Sequence, residues 1–221
     1  LQQHINQAHP GIPVFLLGHS MGSYVAQSYL VHHSASLHGA ILSASNFQPV
    51  MLYRAASLIA HVERCRQGPK GRSALIEWLS FGSFNKAFTP NRTRYDWLSR
   101  DPAEVDAYAA DPLCGFRCTN QLWIDLLDGL QQISKPANLS QIDASLPILV
   151  IGGECDPVSA GKRLTYLANA LRQSGNPSVQ LKVYPQARHE LFNETNRDEV
   201  MADVIAWLEE ALSRPRPVRS E

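Results

Sequence analysis

Apolar residues along this chain recur in two rhythms. Residues 14–17 and 148–151 are short unbroken apolar runs, the pattern of strands buried on both faces of a parallel sheet. Residues 39–43 read as a further strand. Residues 179–184 alternate instead, with Val179, Leu181 and Val183 separated by Gln180 and Lys182, which predicts a half-exposed strand near a sheet edge. Helical spacing fills the intervals. Tyr24, Val25, Ser28 and Tyr29 recur at that spacing, with Ala26 and Leu30 beside them. Leu164, Leu167, Ala168 and Leu171 form an i, i+3, i+4, i+7 stripe closed by Gly175 and Pro177. Val200, Val204, Trp207 and Leu208 form another, introduced by Thr195-Asn196-Arg197-Asp198, which reads as a capping box. Strands alternating with helices predict an α/β fold with a parallel sheet.

About a hundred residues, 46–146, separate the second strand from the third, too many for a simple crossover. They hold three amphipathic segments. Val50, Met51, Ala55, Leu58, Ile59 and Val62 make one; Leu75, Ile76, Trp78 and Leu79 a second; Leu122, Trp123, Leu126, Leu127 and Leu130 a third. The economical reading is a helical cap at 46–146 inserted into a core formed by 1–45 and 147–212. Each stripe reads equally well as packing or as the lining of an apolar acyl pocket. Residues 1–13 read as the end of a helix and a loop. Residues 213–221, with Pro215, Pro217 and three arginines, read as a solvated disordered tail.

Charge changes the picture little. Lys and Arg number 20 and so do Asp and Glu, giving a net charge of zero over 221 residues, so no global attraction to nucleic acid is expected. No apolar run approaches the roughly 18 residues of a membrane span. Cys65, Cys114, Cys118 and Cys155 suggest no disulfide framework. Cys114 and Cys118 share a face if that stretch is helical, but no neighbouring His/Cys pair completes a zinc site. Reduced, packed thiols, Cys155 included, point to a cytoplasmic protein, with contact to a membrane surface through the cap as an option.

The chemistry concentrates at Gly18-His19-Ser20-Met21-Gly22-Ser23, between the first strand and a helix. Gly-x-Ser-x-Gly in that context is a nucleophile elbow. The bland alternative is a glycine-rich turn with an ordinary serine. Ser20 is the candidate nucleophile, and the Met21 backbone N–H is the candidate oxyanion donor. Gly18 and Gly22 are expected to leave room for the turn, because larger side chains there would collide with backbone. Such a serine needs a base and a carboxylate to orient it. In parallel sheets functional groups gather past the carboxyl ends of strands. Gly152-Gly153-Glu154-Cys155-Asp156-Pro157-Val158 follows the third strand and Arg188-His189-Glu190 the fourth. Ser20, Asp156, His189 is the chain order of an α/β-hydrolase triad. Asp156 can instead cap a following helix, with Glu154 as the runner-up carboxylate, and His189 can be a plain loop histidine. The other histidines lack strand-end placement after the carboxylate; His19 sits at the variable position of the elbow.

Together with Arg188-His189-Glu190-Leu191-Phe192-Asn193-Glu194, these motifs resemble the monoacylglycerol lipase, lysophospholipase and serine aminopeptidase group of α/β-hydrolases. Tyr95-Asp96-Trp97-Leu98-Ser99-Arg100 and Asp111-Pro112-Leu113-Cys114-Gly115-Phe116 resemble bacterial lysophospholipases in particular. The resemblance implies a serine hydrolase that cleaves carboxylic esters of lipids through an acyl-serine, with no metal or cofactor. Amidase, aminopeptidase and thioesterase chemistry use the same triad, and a non-catalytic binding protein of this fold is the rival from another class. Epoxide hydrolases and dehalogenases carry an aspartate where Ser20 stands. Members of the group begin with several strands before the elbow strand, and one of those loops, usually His-Gly, supplies a second oxyanion N–H. Nothing before residue 14 matches it. The chain is therefore expected to lack the N-terminal third, to leave one flank of the elbow strand bare, and to be weak or inactive alone, since one lost oxyanion donor costs about 3 kcal/mol. Acyl length, head group and oligomeric state are left open.

Overall fold

A computed structural model describes residues 2–159 and 162–214. Four strands, β1 (Phe15–His19), β2 (Gly39–Ser43), β3 (Ile148–Gly153) and β4 (Val179–Tyr184), pair in that order. All three pairings are parallel, in registers such as Leu17 with Ile41, Ile41 with Leu149 and Leu149 with Gln180. Helix α1 (Gln2–Ala8) precedes β1, and α2 (Met21–His33) joins β1 to β2. Between β2 and β3 lie α3 (Val50–Gln67), α4 (Ala74–Phe81), α5 (Pro102–Ala110), α6 (Asn120–Ile133) and α7 (Pro136–Leu139). Helix α8 (Arg163–Gln173) crosses from β3 to β4, and α9 (Arg197–Ser213) follows β4.

Side-chain alternation divides the sheet into two faces. Ala40, Leu42, Ile148 and Val150 meet α2 and α8, where Leu30, Leu164, Leu167 and Leu171 are sealed from solvent. Ile41, Leu149 and Ile151 meet α9 through Val200, Val204 and Trp207. β2 and β3 are buried throughout, which explains their apolar composition. β4, an edge strand, is only partly covered along its middle. β1 is the other edge among the described strands, and there the expectation of a strand covered on both faces fails: Leu17 is 45% exposed. β1 also runs one residue later at its start and two later at its end than its apolar run, because Gly18 and His19 continue the ladder to Leu42 and Ser43.

Several helix faces differ from expectation. On α3 the buried positions are Tyr53, Ser57, Ala60 and Glu63, while Met51, Leu58, Ile59 and Val62 are exposed. Helix α6 selects that face: it packs on α3, and Trp123, Ile124, Leu127 and Leu130 join Tyr53, Ala60 and Ile76 in one cluster. Glu63 is tolerated there because Arg66, Gln67 and Ser73 all donate to its carboxylate. On α4 only Ile76 is buried; Leu75, Trp78 and Leu79 face out. On α2, Val25 is exposed and Ser23, Ala26, Gln27, Leu30 and Val31 are buried. Helix α9 starts without a capping box. Asn196 is its N-cap with no side-chain bond to the first-turn backbone, and its amide donates to Glu199 instead. Ser213 ends α9 rather than opening a tail; residues 215–221 lie outside the described residues. Cys114 and Cys118 fall in the non-helical segment before α6. Cys155 is exposed, not packed.

Candidate active site

Ser20 sits where β1 turns into α2. Its N–H donates to Ser43 O at 2.9 Å, extending the β1–β2 ladder, and its backbone then swings to φ 52°, ψ −122°. That conformation is costly for a residue with a Cβ and persists only where the surroundings impose it. Gly18 permits the turn: a Cβ there would stand 2.4 Å from Gly22 O and 2.8 Å from Ala26 Cβ. Gly22 is different, since a Cβ on it would meet nothing within 4 Å. The expected collision therefore holds for the first glycine and not for the second. Met21 is the first residue of α2, where backbone N–H groups have no intrahelical acceptor.

Asp156 and His189 arrive from later strand ends. Asp156 lies past β3, in a turn closed by Val158 N–H donating to Oδ1 at 2.9 Å. The next helix starts at Arg163, so Asp156 caps a turn and not a helix. His189 lies past β4. Gly153 lets its loop approach β3, because a Cβ there would come 2.2 Å from both Ala187 O and Arg188 O. His189 Nδ1 is 3.0 Å from Asp156 Oδ1, and Nε2 is 2.9 Å from Ser20 Oγ. A carboxylate accepts only, so Nδ1 carries the proton and the Nε2 lone pair faces the serine hydroxyl. Both side chains are almost fully buried, Asp156 at 1% and His189 at 3% exposure. Glu154, the other carboxylate, points elsewhere and accepts from Gln186 N–H.

Two further rings touch the imidazole. His19 lies 5.2 Å away, centroid to centroid, with its Nδ1 3.1 Å from Ser43 Oγ. Burial first, and the neighbouring His189 second, push His19 down to about 4 from its ordinary value, so it is neutral at pH 7. Trp97 lies 5.0 Å away. Its other neighbours are Phe81 and Phe84, and it borders a cavity of about 560 Å³ shared with Trp78, Tyr108, Leu113 and Phe116. Ser20, Asp156 and His189 do not line that cavity, but Trp97, which does, touches the His189 ring. Sequence reasoning passed over both rings. A variable elbow residue and a tryptophan in a loop become significant only once β4 carries His189 back to them. Among the described residues, no group of three or more His, Cys, Asp or Glu can hold a metal ion.

A parallel sheet with a strained serine between strand and helix, an aspartate past one later strand and a histidine past the next, defines the α/β-hydrolase class. Within it, the chain belongs to the serine aminopeptidase S33 family, whose pattern matches residues 1–196. It is similar to a monoacylglycerol lipase of Mycolicibacterium smegmatis, 30% identical over 205 residues covering 90% of this chain and 63% of the relative. Human monoglyceride lipase is 27% identical over 93% of this chain and 62% of its own length. The crystal structure of a carboxyl esterase from Bacillus coagulans in complex with glycerol superimposes with a TM-score of 0.86 at 27% identity, over 96% of this chain and 69% of that one. The chain thus spans just under two thirds of the length of these curated relatives.

Proposed function

We propose that this chain carries the catalytic triad of a serine hydrolase acting on carboxylic esters of lipids, a monoacylglycerol or a lysophospholipid. The observation that carries the reading is the unbroken relay from Asp156 Oδ1 through His189 to Ser20 Oγ, at 3.0 and 2.9 Å. His189 Nε2 takes the hydroxyl proton as Ser20 Oγ attacks the ester carbonyl. Asp156 holds the tautomer and offsets the charge of the imidazolium that forms. The Met21 N–H faces the developing oxyanion. His189 then returns the proton to the departing alcohol, leaving an acyl-Ser20 ester. Water, deprotonated by the same imidazole, attacks the acyl carbonyl, and His189 gives the proton to Ser20 Oγ as its bond to the acyl carbon breaks, releasing the carboxylic acid and restoring the serine.

The lipid part of the reading rests on the relatives and on the helices between β2 and β3, which we take to act as a cap. The cavity that Trp97 borders carries Trp78, Phe81, Leu113 and Phe116 on its wall beside Glu77, Arg94 and Arg117, an apolar stretch suited to an acyl chain with charged groups next to it. The exposed Met51, Leu58 and Val62 of α3 and Trp78 and Leu79 of α4 offer an apolar face to a lipid surface. Among the described residues no helix is long and apolar enough to cross a membrane. The test is covalent labelling with a fluorophosphonate followed by peptide mapping. Label is expected on Ser20 and absent from Ser20→Ala. Labelling that persists in Ser20→Ala overturns the proposal.

A further inference from the structure

The loop carrying His189 is held from the side by residues 96–101, more than eighty positions away in sequence. Glu190 N–H donates to Leu98 O at 2.8 Å, and Ser99 Oγ donates to Asn193 O at 2.7 Å. The Arg188 guanidinium donates to Ser99 O at 3.0 Å and also reaches Asp96 O. At the centre of this junction is Glu194, wholly buried at 0% exposure. Its carboxylate accepts the backbone N–H groups of Arg188 at 2.8 Å, Arg100 at 3.1 Å and Thr195 at 2.9 Å. It also takes the Arg100 Nε–H at 2.8 Å, while Arg100 reaches Asn196 Oδ1 at 2.6 Å.

We infer that Glu194 is a positioning residue for His189, an inference that rests on the hydrolase reading of the site. One of its donors, Arg188 N–H, belongs to the residue immediately before His189. Another, Thr195 N–H, closes the loop on the far side. Two more come from Arg100, on the same segment that presses Trp97 against the imidazole. The carboxylate therefore pins both ends of the His189 loop to the wall behind the ring. With the Thr195 hydroxyl at 3.4 Å the carboxylate serves five donors, which it can do because it only accepts. A glutamine in its place turns one of its two groups into a donor facing other donors. The loop then has to move, and an ångström of displacement at a reacting group costs about a hundredfold in rate.

The test has a kinetic and a spectroscopic arm on this chain. Glu194→Gln is expected to keep its circular dichroism spectrum and to label Ser20 about a hundredfold more slowly. The probe concentration giving half-maximal rate should be unchanged. A far-downfield proton resonance of His189 Nδ1–H is expected in the wild type, from its 3.0 Å bond to Asp156 Oδ1, and should be lost in the variant. Arg197→Ala removes the partly exposed contacts of the same junction with Asp101 and Glu104 and should change neither readout. If Glu194→Gln does not fold, Arg100→Gln, which leaves the three backbone donors in place, is read in the same way. A folded variant with the wild-type resonance and labelling rate overturns the inference, as does an equal loss in Arg197→Ala. Should the wild type not label at all while the resonance is present and vanishes in Glu194→Gln, the positioning role stands and the proposal that this chain by itself reacts as a serine hydrolase falls.

Discussion

Replacing Gly153 with alanine puts the smallest possible obstacle where β3 meets the His189 loop. The added methyl would stand 2.2 Å from both Ala187 O and Arg188 O, whereas real Cβ contacts do not fall below 3.0 Å. Those carbonyls must retreat by the difference, at least 0.8 Å, and Ala187, which carries one of them, is fully buried. His189 is the next residue. Its bonds of 3.0 Å to Asp156 and 2.9 Å to Ser20 join groups on other elements. A shift of that size carries at least one of them past hydrogen-bond range, which predicts a loss of about a hundredfold in rate. Gly152 is the built-in control. A Cβ there points to the opposite face and meets Leu164 Cδ1 at 2.3 Å, the end of a core side chain. Gly152→Ala should therefore cost about 1–3 kcal/mol of stability by overpacking and leave the rate nearly untouched. The assay is the rate of fluorophosphonate labelling of Ser20 beside the thermal midpoint of each variant. Wild-type labelling by Gly153→Ala, or equal slowing by Gly152→Ala, would refute the reasoning.

Asp156→Asn keeps the shape of the site and leaves an acceptor or a donor opposite His189 Nδ1; labelling of Ser20 should fall about 10⁴-fold with the fold intact by circular dichroism. His19 titrates at about 4 when folded against 6.5 when free. Between those values the unfolded chain binds the extra proton, so stability falls on acidification, by on the order of 3 kcal/mol in total. His19→Gln should flatten that part of the curve; urea midpoints compared at pH 7.5 and 4.5 check it, and an unchanged difference counts against the assignment. Leu167→Ala removes a fully buried side chain between α8 and the sheet and should cost about 2–5 kcal/mol, read from urea unfolding.

Much of this molecule was written in local pattern. A run such as Ile148-Leu149-Val150-Ile151 has only one comfortable place, inside a parallel sheet between two helical layers, because both of its faces are apolar. The stripe of Leu164, Leu167, Ala168 and Leu171 likewise left α8 one face to bury. Ser20, Asp156 and His189 could be expected at one rim of the sheet because each follows a strand whose position the pattern gives, and they do come within hydrogen-bond distance there. On α3 the apolar stripe pointed to Met51, Leu58, Ile59 and Val62, but contact with α6 buried Tyr53, Ser57 and Ala60 instead and drew in Glu63, whose charge is acceptable only beside Arg66, Gln67 and Ser73. Other features join residues too distant in sequence for any local rule. Trp97 lies against His189, Arg100 against Glu194 and Gly153 against Ala187, each through a contact that exists only after the chain has closed on itself. Periodicity reports which side of an element avoids water. Which partner waits on that side, and at what distance, is fixed by the packing of the whole, because a buried charge or a close backbone approach is tolerable only when the matching groups have arrived.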